Sequence, residues 1–262
     1  MTIPVIFDRK LYAMRRMRAA RRGADSFLAR QAGENLAERL AAAGRKFERA
    51  LDLGSRPESF ALVAPLAAHW VRTSASAAGT GEQIVADEEL LPFGPGSFDL
   101  VMSALTLHAV NDLPGTLVQI RRALAPGGLF LAALFGGSTL AELRHAFAAG
   151  EAETTGGASP RIAPLTDVRD AGALLQRAGF VMPVADVERI AVRYRAFSTL
   201  VDDLRVLGET NALMQRRRSM LSQRMLRAVL AHYREQDDDS CGQLHATFDI
   251  LFLTGRAPGL TG

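Results

Sequence analysis

The chain has 262 residues, 48% of them hydrophobic, with 31 basic and 28 acidic side chains and a formal net charge of +3. That length bounds one large domain with an appended segment, and so mild a charge gives no ground for a nucleic-acid partner. Cys241 is the single cysteine, which excludes an intramolecular disulfide and a cysteine metal cluster and fits a reducing compartment.

Residues 7–22 predict a basic helix with Leu11 and Met14 on one side, serving as a targeting peptide, a surface-binding helix or a lid over a domain mouth. A second helix, capped at Asp25 or Ser26, carries Leu28, Ala32, Leu36 and Leu40 at four-residue spacing and stops at Gly44. From there strands and helices alternate, which predicts an α/β doubly wound parallel sheet. Strands are expected at 47–53, 69–74, 82–86, 98–103 and 129–135, with helices at 57–68 and 113–124 and a small-residue loop at 75–81. After Gly136-Gly137 the alternation loosens. Ser138 is read as the cap of a helix over 138–149, followed by a Gly, Thr and Pro-rich connection over 151–164 and a helix over 167–178. Strand material at 180–194 precedes helices at 198–207 and 209–235, an exposed loop at 237–240 and a last strand at 245–254. No apolar run is long enough to span a membrane and the N-terminus lacks an apolar signal core, so neither a transmembrane segment nor secretion is expected.

The turn after the first strand carries the densest signal. Ala50-Leu-Asp-Leu-Gly-Ser-Arg-Pro-Glu-Ser-Phe60 reads as strand, glycine turn and helix start. That order aims free backbone N–H groups and a helix dipole into one crevice, which suits a nucleotide cofactor. The usual turn for S-adenosylmethionine runs acid-x-Gly-x-Gly-x-Gly. Only Asp52 and Gly54 fit it; Arg56 and Glu58 replace the later glycines, with Pro57 between them. Pro57 fixes its own φ and pushes Arg56 toward extended geometry, so neither residue takes a positive φ. Ser55 and Glu58 also match a capping box. Two readings stay open: a well-capped helix and nothing more, or a cofactor turn in which Glu58 stands where a cofactor carboxylate would approach.

Together with this strand–turn–helix, Ala86-Asp-Glu-Glu-Leu-Leu-Pro-Phe93, Ser97-Phe-Asp-Leu-Val101 and Leu124-Ala-Pro-Gly-Gly128 resemble class I S-adenosylmethionine-dependent methyltransferases over residues 47–135. Phe7-Asp-Arg9, Leu105-Thr-Leu-His-Ala-Val-Asn-Asp-Leu-Pro114 and Phe135-Gly-Gly-Ser-Thr-Leu-Ala-Glu-Leu-Arg144 resemble one subfamily along nearly the whole chain, as do Gly157-Ala-Ser-Pro-Arg161 and Ala178-Gly-Phe180. The subfamily is the mitochondrial NADH:ubiquinone oxidoreductase complex assembly factor 5 with its bacterial relatives, whose mitochondrial member is credited with hydroxylating an arginine. Malonyl-carrier-protein methyltransferases of biotin synthesis are similar at a greater distance.

The resemblance implies a Rossmann-like methyltransferase sheet with an N-terminal lid helix and a helical insertion before the last strand. Residues 1–44 would form the lid and second helix, 45–137 the core, and 138–262 the substrate side. It implies S-adenosylmethionine as cofactor and a protein substrate such as a complex I subunit, without nucleic acid, in the cytoplasm or peripheral to the inner membrane. A non-catalytic assembly chaperone with a decayed turn and a carrier-protein O-methyltransferase remain the alternatives.

Carried over position by position, the resemblance puts Asp87, with Glu88 beside it, where family members hold the adenine amino group. Asp52, Gly54 and Ser55 match the first turn, and Ser103 to Leu105 line the pocket with backbone groups. Ser74 stands where an acid normally holds both ribose hydroxyls; a serine offers one hydrogen bond and no charge. His108 lies where ligands bind, at the carboxyl ends of the strands, as a general base or donor, or else as the cap of the helix beginning at Leu113. Asp99 reads as a structural turn residue. Glu142 and Arg144 read as site residues or a solvated helix face, and Tyr194 and Arg195 as surface. His69, His145, His232 and His245 show no ligand spacing, so no metal site is predicted and no iron set for a hydroxylase can be assembled. Arg216-Arg217-Arg218 reads as a solvated face, or as a patch for an acidic protein partner.

Overall fold

The computed structural model describes residues 4–75, 83–236 and 243–259, so Cys241, the loop at 237–240, Glu82 and most of the loop at 75–81 lie outside the described residues. At its centre are three strands buried on both faces: β1 (Phe47–Leu53), β4 (Phe98–Ala104) and β5 (Leu124–Phe135). Successive side chains alternate between two cores. Ala50, Met102 and Leu131 join one cluster, and Leu51, Val101 and Phe130 join the other. Strands wet on neither face read as continuous apolar runs, which is why they stand out in the sequence. With β2 (Ala67–Ser74), β3 (Ile84–Val85), β6 (Val181–Tyr194) and β7 (Leu244–Arg256) they form a seven-stranded sheet in the order β3-β2-β1-β4-β5-β7-β6. Strands β1 to β5 are parallel, and β7 runs antiparallel between β5 and β6. The strand order reverses between β1 and β4, which opens a crevice at their carboxyl ends.

On one face lies α2 (Phe27–Ala42), capped by Ser26 and seated through Leu28, Leu36 and Leu40. It approaches α3 (Pro57–Val63) so closely that a Cβ on Gly33 would sit 2.8 Å from Ser59 Cα. The other face is covered by α4 (Leu113–Ala123) and α6 (Val168–Arg177) through Leu117, Ile120 and Leu175. Two further helices, α7 (Phe197–Leu207) and α8 (Gln223–Glu235), lie between β6 and β7 in the chain, and α8 packs on α5 (Ala141–Thr155). The first helix, α1 (Arg9–Arg22), buries only Tyr12 and Ala19, where α2 buries six residues. A large apolar side chain contributes about 1.5–3 kcal/mol on burial. The core therefore holds α2, while α1 depends on polar contacts.

Several boundaries depart from the sequence reading: β5 already starts at Leu124, and α5 runs on to Thr155, into the expected connection over 151–164. The first crossover helix stops at Val63 and passes through a 3-10 turn, Ala64–Leu66, where Pro65 withholds an N–H. Residues 138–140 are not helical: the Leu140 N–H donates to Thr247 O at 2.7 Å and the Thr139 hydroxyl to Asp249 O at 3.1 Å, so β7 holds them and α5 starts at Ala141. The expected helix over 209–235 begins only at Gln223, capped by Ser222. Residues 212–214 instead run along the N-terminal segment, with Asp8 N donating to Ala212 O and Met214 N to Ile6 O, each at 2.8 Å. No helix among the described residues is long and apolar enough to cross a membrane.

Candidate functional site

At the end of β1, Gly54 turns with φ +69°, and a Cβ there would lie 2.9 Å from Glu88 Oε1 and 3.2 Å from Thr106 Cγ2. Gly54 thus keeps open a small cavity of about 70 Å³, bordered also by Ser55, Ser74, Glu88 and Thr106. Helix α1 closes it. Arg16 donates to Gly54 O, and to Leu105 O at 3.1 Å. Arg9 donates to Ala109 O and to Asp87 Oδ1, both at 2.9 Å, and also to Glu88 Oε2. Burial works against the Arg9 charge, but Glu88 and Asp87 outweigh it and leave the guanidinium harder to deprotonate than usual.

Below the turn, Asp52 is fully buried and accepts from Ser55 N at 3.3 Å and Arg72 Nε at 3.2 Å. Burial raises its pKa in spite of these partners. The expected capping box is absent. Arg56 is the N-cap of α3 and makes no side-chain cap bond. The Ser55 hydroxyl instead accepts from Ala104 N at 2.9 Å, joining the turn to β4. Glu58 Oε1 accepts from Arg56 Nε at 2.7 Å and Ser26 N at 3.0 Å, joining α3 to the start of α2. Both side chains have stronger calls from neighbouring elements than from the helix end.

A second, larger cavity of about 340 Å³ opens on the far side of Tyr12. Its walls are mostly apolar, with Phe135, Leu143, Phe147, Phe197, Leu204 and Phe248 among them. His108 stands at its polar end, on a short turn Leu107–Ala109, with a side chain only 5% exposed. Its Nε2 is 2.9 Å from Glu209 Oε2, and Tyr12 donates its hydroxyl to Glu209 Oε1 at 2.7 Å. Arg16 lies 3.7 Å from that same oxygen. Burial pushes the Glu209 carboxyl up, but His108, Arg16 and Tyr12 together bring it below the ordinary value, so it is an anion. An anionic Glu209 accepts the proton on Nε2, so in the neutral ring Nδ1 is the acceptor nitrogen. Nδ1 is buried and has no hydrogen-bond partner. Asp112, not His108, caps α4, accepting from Gly115 N at 2.8 Å.

The predicted site residues therefore divide between two places. Gly54, Ser55, Ser74 and Glu88 border the small cavity, with Asp52 beneath it. Ser103 is buried and donates to Leu53 O at 3.1 Å, while Leu105 takes the strained φ of +53° and accepts from Arg16 through its carbonyl. Asp87 is turned outward, its side chain 44% exposed, and holds Arg9 and the Glu89 N–H; Glu88 faces inward in its place. His108 belongs to the larger cavity.

Four residues of the site, Arg9, Tyr12, Arg16 and Glu209, escape sequence reasoning. The first three look like ordinary members of a basic helix. Glu209 falls in a stretch with helical periodicity, marked only by Gly208 before it. Asp99 is structural, accepting from Glu48 N at 2.7 Å and Arg49 N at 3.0 Å. Glu142 accepts from Thr247 and Arg144 donates to Thr139 O, which places both in the framework. Tyr194 is buried, not on the surface, and Arg216 is paired with Asp8 at 3.2 Å instead of being solvated. Among the described residues no three His, Cys, Asp or Glu side chains gather to hold a metal ion.

A model of the methyltransferase domain matches residues 58–132. The mouse protein "Arginine-hydroxylase NDUFAF5, mitochondrial" is 38% identical over 95% of this chain and 77% of its own length. A malonyl-[acyl-carrier protein] O-methyltransferase from Xylella fastidiosa is 35% identical over 67% of this chain and 57% of its own. Among solved structures, YcgJ from Bacillus subtilis superposes with a TM-score of 0.58, covering 85% of this chain and 97% of its own at 13% identity, a likeness of fold.

The methyltransferase domain takes S-adenosylmethionine as its cofactor. The side chains suit it in kind, since Glu88 and Ser74 offer acceptors and Gly54 leaves the backbone approachable. The room does not suit it yet. Sites for ligands of this size span roughly 300–1,000 Å³, against about 70 Å³ here. Arg9 and Arg16 of α1 reach into this end of the fold and hold its acids and carbonyls themselves. With similarity to the mouse protein running along 95% of its length, the chain belongs to the methyltransferase-fold family of arginine-hydroxylase NDUFAF5.

Proposed function

We propose that this chain is an S-adenosylmethionine-dependent enzyme that modifies a side chain of a protein substrate during assembly of a respiratory NADH dehydrogenase, in the cytoplasm or at the surface of the inner membrane. The observation that carries this reading is the His108–Glu209 pair in the wall of the apolar chamber, joined through Tyr12 to the crevice, with an Nδ1 that has no partner. When bound, S-adenosylmethionine supplies an electrophilic methyl group. The chain's own contribution is orientation and proton handling. Glu209 keeps the proton on Nε2 and fixes the ring, Nδ1 receives the proton that the acceptor gives up, and Tyr12 secures the second oxygen of Glu209. A positioned general base of this kind contributes about 10²–10⁴-fold in rate.

Kinship with NDUFAF5 over the whole chain supports a protein substrate and a role in assembling that complex. The carrier-protein reading draws less support from the geometry. A buried malonyl carboxylate calls for a free cation, and Arg161, the arginine in the chamber wall, is already paired with Glu151. Deleting the gene, then supplying purified protein and methyl-labelled cofactor to extracts of the deletion strain, tests the proposal. NADH oxidation by membranes should fall in the deletion strain and label should enter a protein. His108→Ala should slow labelling about 10²–10⁴-fold with cofactor affinity unchanged. Normal NADH oxidation together with unlabelled protein would refute it.

A further inference from the structure

The outer side of α1 and the segment after Leu213 meet in one basic surface, which the proposed reaction leaves unused. Phe7 and Leu213 pair as a short antiparallel bridge, Met214 N donates to Ile6 O at 2.8 Å, and Arg216 pairs with Asp8 at 3.2 Å. Arg15 of α1 faces Arg216 and Arg18, and with burial they make it a weaker base than an ordinary arginine. Its Nη1 is buried without a hydrogen-bond partner. Arg18, Arg217 and Arg218 are exposed. The acid that meets this cluster is Asp8, which faces Arg15, Arg216 and Arg218 and also accepts from Leu11 N at 3.0 Å. One carboxylate against several guanidiniums leaves positive charge over, and guanidinium forks match phosphate oxygens in both charge and geometry.

Apolar side chains stand among these arginines. Met220 is 96% exposed, and Val5, Met14 and Met214 are exposed as well. Met14 and Arg18 lie four apart on α1, so they share a side of the helix. A soluble phosphate or an acidic peptide would answer the charge and leave a side chain as prominent as Met220 in water. An anionic bilayer answers both, because its phosphates take the arginines and the boundary between headgroups and acyl chains takes the methionines.

We infer that this face docks on a bilayer bearing anionic phospholipids, with Arg15, Arg18, Arg217 and Arg218 on headgroup phosphates and Met220 and Met214 entering the interface. The inference rests on the membrane-side location proposed above and deepens it by naming the surface responsible. It makes no use of the reaction at His108.

Sedimenting the full chain with vesicles of phosphatidylcholine, alone or mixed with phosphatidylglycerol, tests this. Binding to the mixed vesicles should be at least about tenfold tighter and should weaken as salt is added. Arg217→Ala combined with Arg218→Ala should weaken it about 25-fold, at about fivefold for each arginine. Met220→Ser should weaken it about tenfold by removing an inserted apolar side chain. Arg169→Ala combined with Arg177→Ala, two exposed arginines of α6, lowers the net charge equally and should leave binding unchanged. Circular dichroism checks that each variant folds. No binding to mixed vesicles, equal binding to both kinds, or an equal loss in the α6 pair would each overturn the inference. So would binding of inorganic phosphate or polyglutamate as tight as that of the mixed vesicles. Labelling of protein in extracts of the deletion strain, run with the same variants, separates this claim from the reaction. Labelling without vesicle binding removes only the docking surface, and vesicle binding without labelling removes only the proposed chemistry.

Discussion

Between the crevice at Gly54 and the chamber beyond His108 there is little more than one α1 side chain, yet the two were built by opposite means. The crevice is small and polar, and its acids are answered by arginines of the same chain. The chamber is about five times larger by the two volumes, 340 and 70 Å³, and its charges are settled among themselves in the wall. A site made of charges can be shut by opposite charges carried on a helix of the same chain. A site made of apolar wall has no such internal substitute, and stands open in the same structure.

The largest expected effect comes at the floor of the crevice. Gly54→Ala places a Cβ against Glu88 at a φ of +69°, which should cost about 1–3 kcal/mol of stability and abolish cofactor binding, read by thermal denaturation and calorimetry. Arg9→Ala acts on the lid. Freed of its contacts with Asp87 and Glu88, α1 should open more readily, and S-adenosylmethionine affinity should rise about tenfold, equivalent to about 1.4 kcal/mol taken from the closed state. A fall in affinity would show that Arg9 belongs to the bound site and does not compete with it.

The smallest effect should lie in the wall itself. Glu209→Gln weakens the bonds to His108 and Tyr12 and should cost about 1 kcal/mol near neutrality. The folded-state value of Glu209 lies below the ordinary 4.5, so its contribution is present above that pH and is lost as pH falls through the lowered value. The melting-temperature gap between wild type and Glu209→Gln should therefore close in acid. Asp52 has the opposite sign. Its folded-state value is raised above 3.8, so its charge becomes a burden as pH climbs past that value, and Asp52→Asn should gain on wild type with rising pH. Parallel slopes for the two variants would contradict the assignment of one carboxylate to a paired wall and the other to a desolvated floor.

Much of this was legible before any coordinates. Alternating apolar strands announced the sheet because β1, β4 and β5 are largely buried on both sides, and Ser26, one of the two caps read for α2, is its N-cap. The turn at Gly54 and the residues Ser55, Ser74 and Glu88 come together. What stayed hidden depends on contacts distant in the chain. Arg9 and Arg16 are 78 and 38 residues from the crevice groups Asp87 and Gly54 that they bind, and nothing in a basic helix says which of its arginines turn inward. Glu209 is 101 residues from His108, in a segment whose helical periodicity was overridden when residues 212–214 paired with the N-terminal segment. Glu88 faces the crevice and Asp87 the solvent because neighbouring residues point opposite ways, and sequence alone does not say which faces in.

Tyr12 borders both cavities, its hydroxyl bonded to Glu209 on one side and its helix covering Gly54 on the other. An occupant of either cavity that shifts this phenol alters the free energy of filling the other. Thermodynamic reciprocity then requires the two ligands to change each other's affinity by the same factor. Whether that factor exceeds or falls below one fixes the order in which the protein is loaded: cofactor first if an emptied lid widens the chamber, acceptor first if a filled chamber frees the lid.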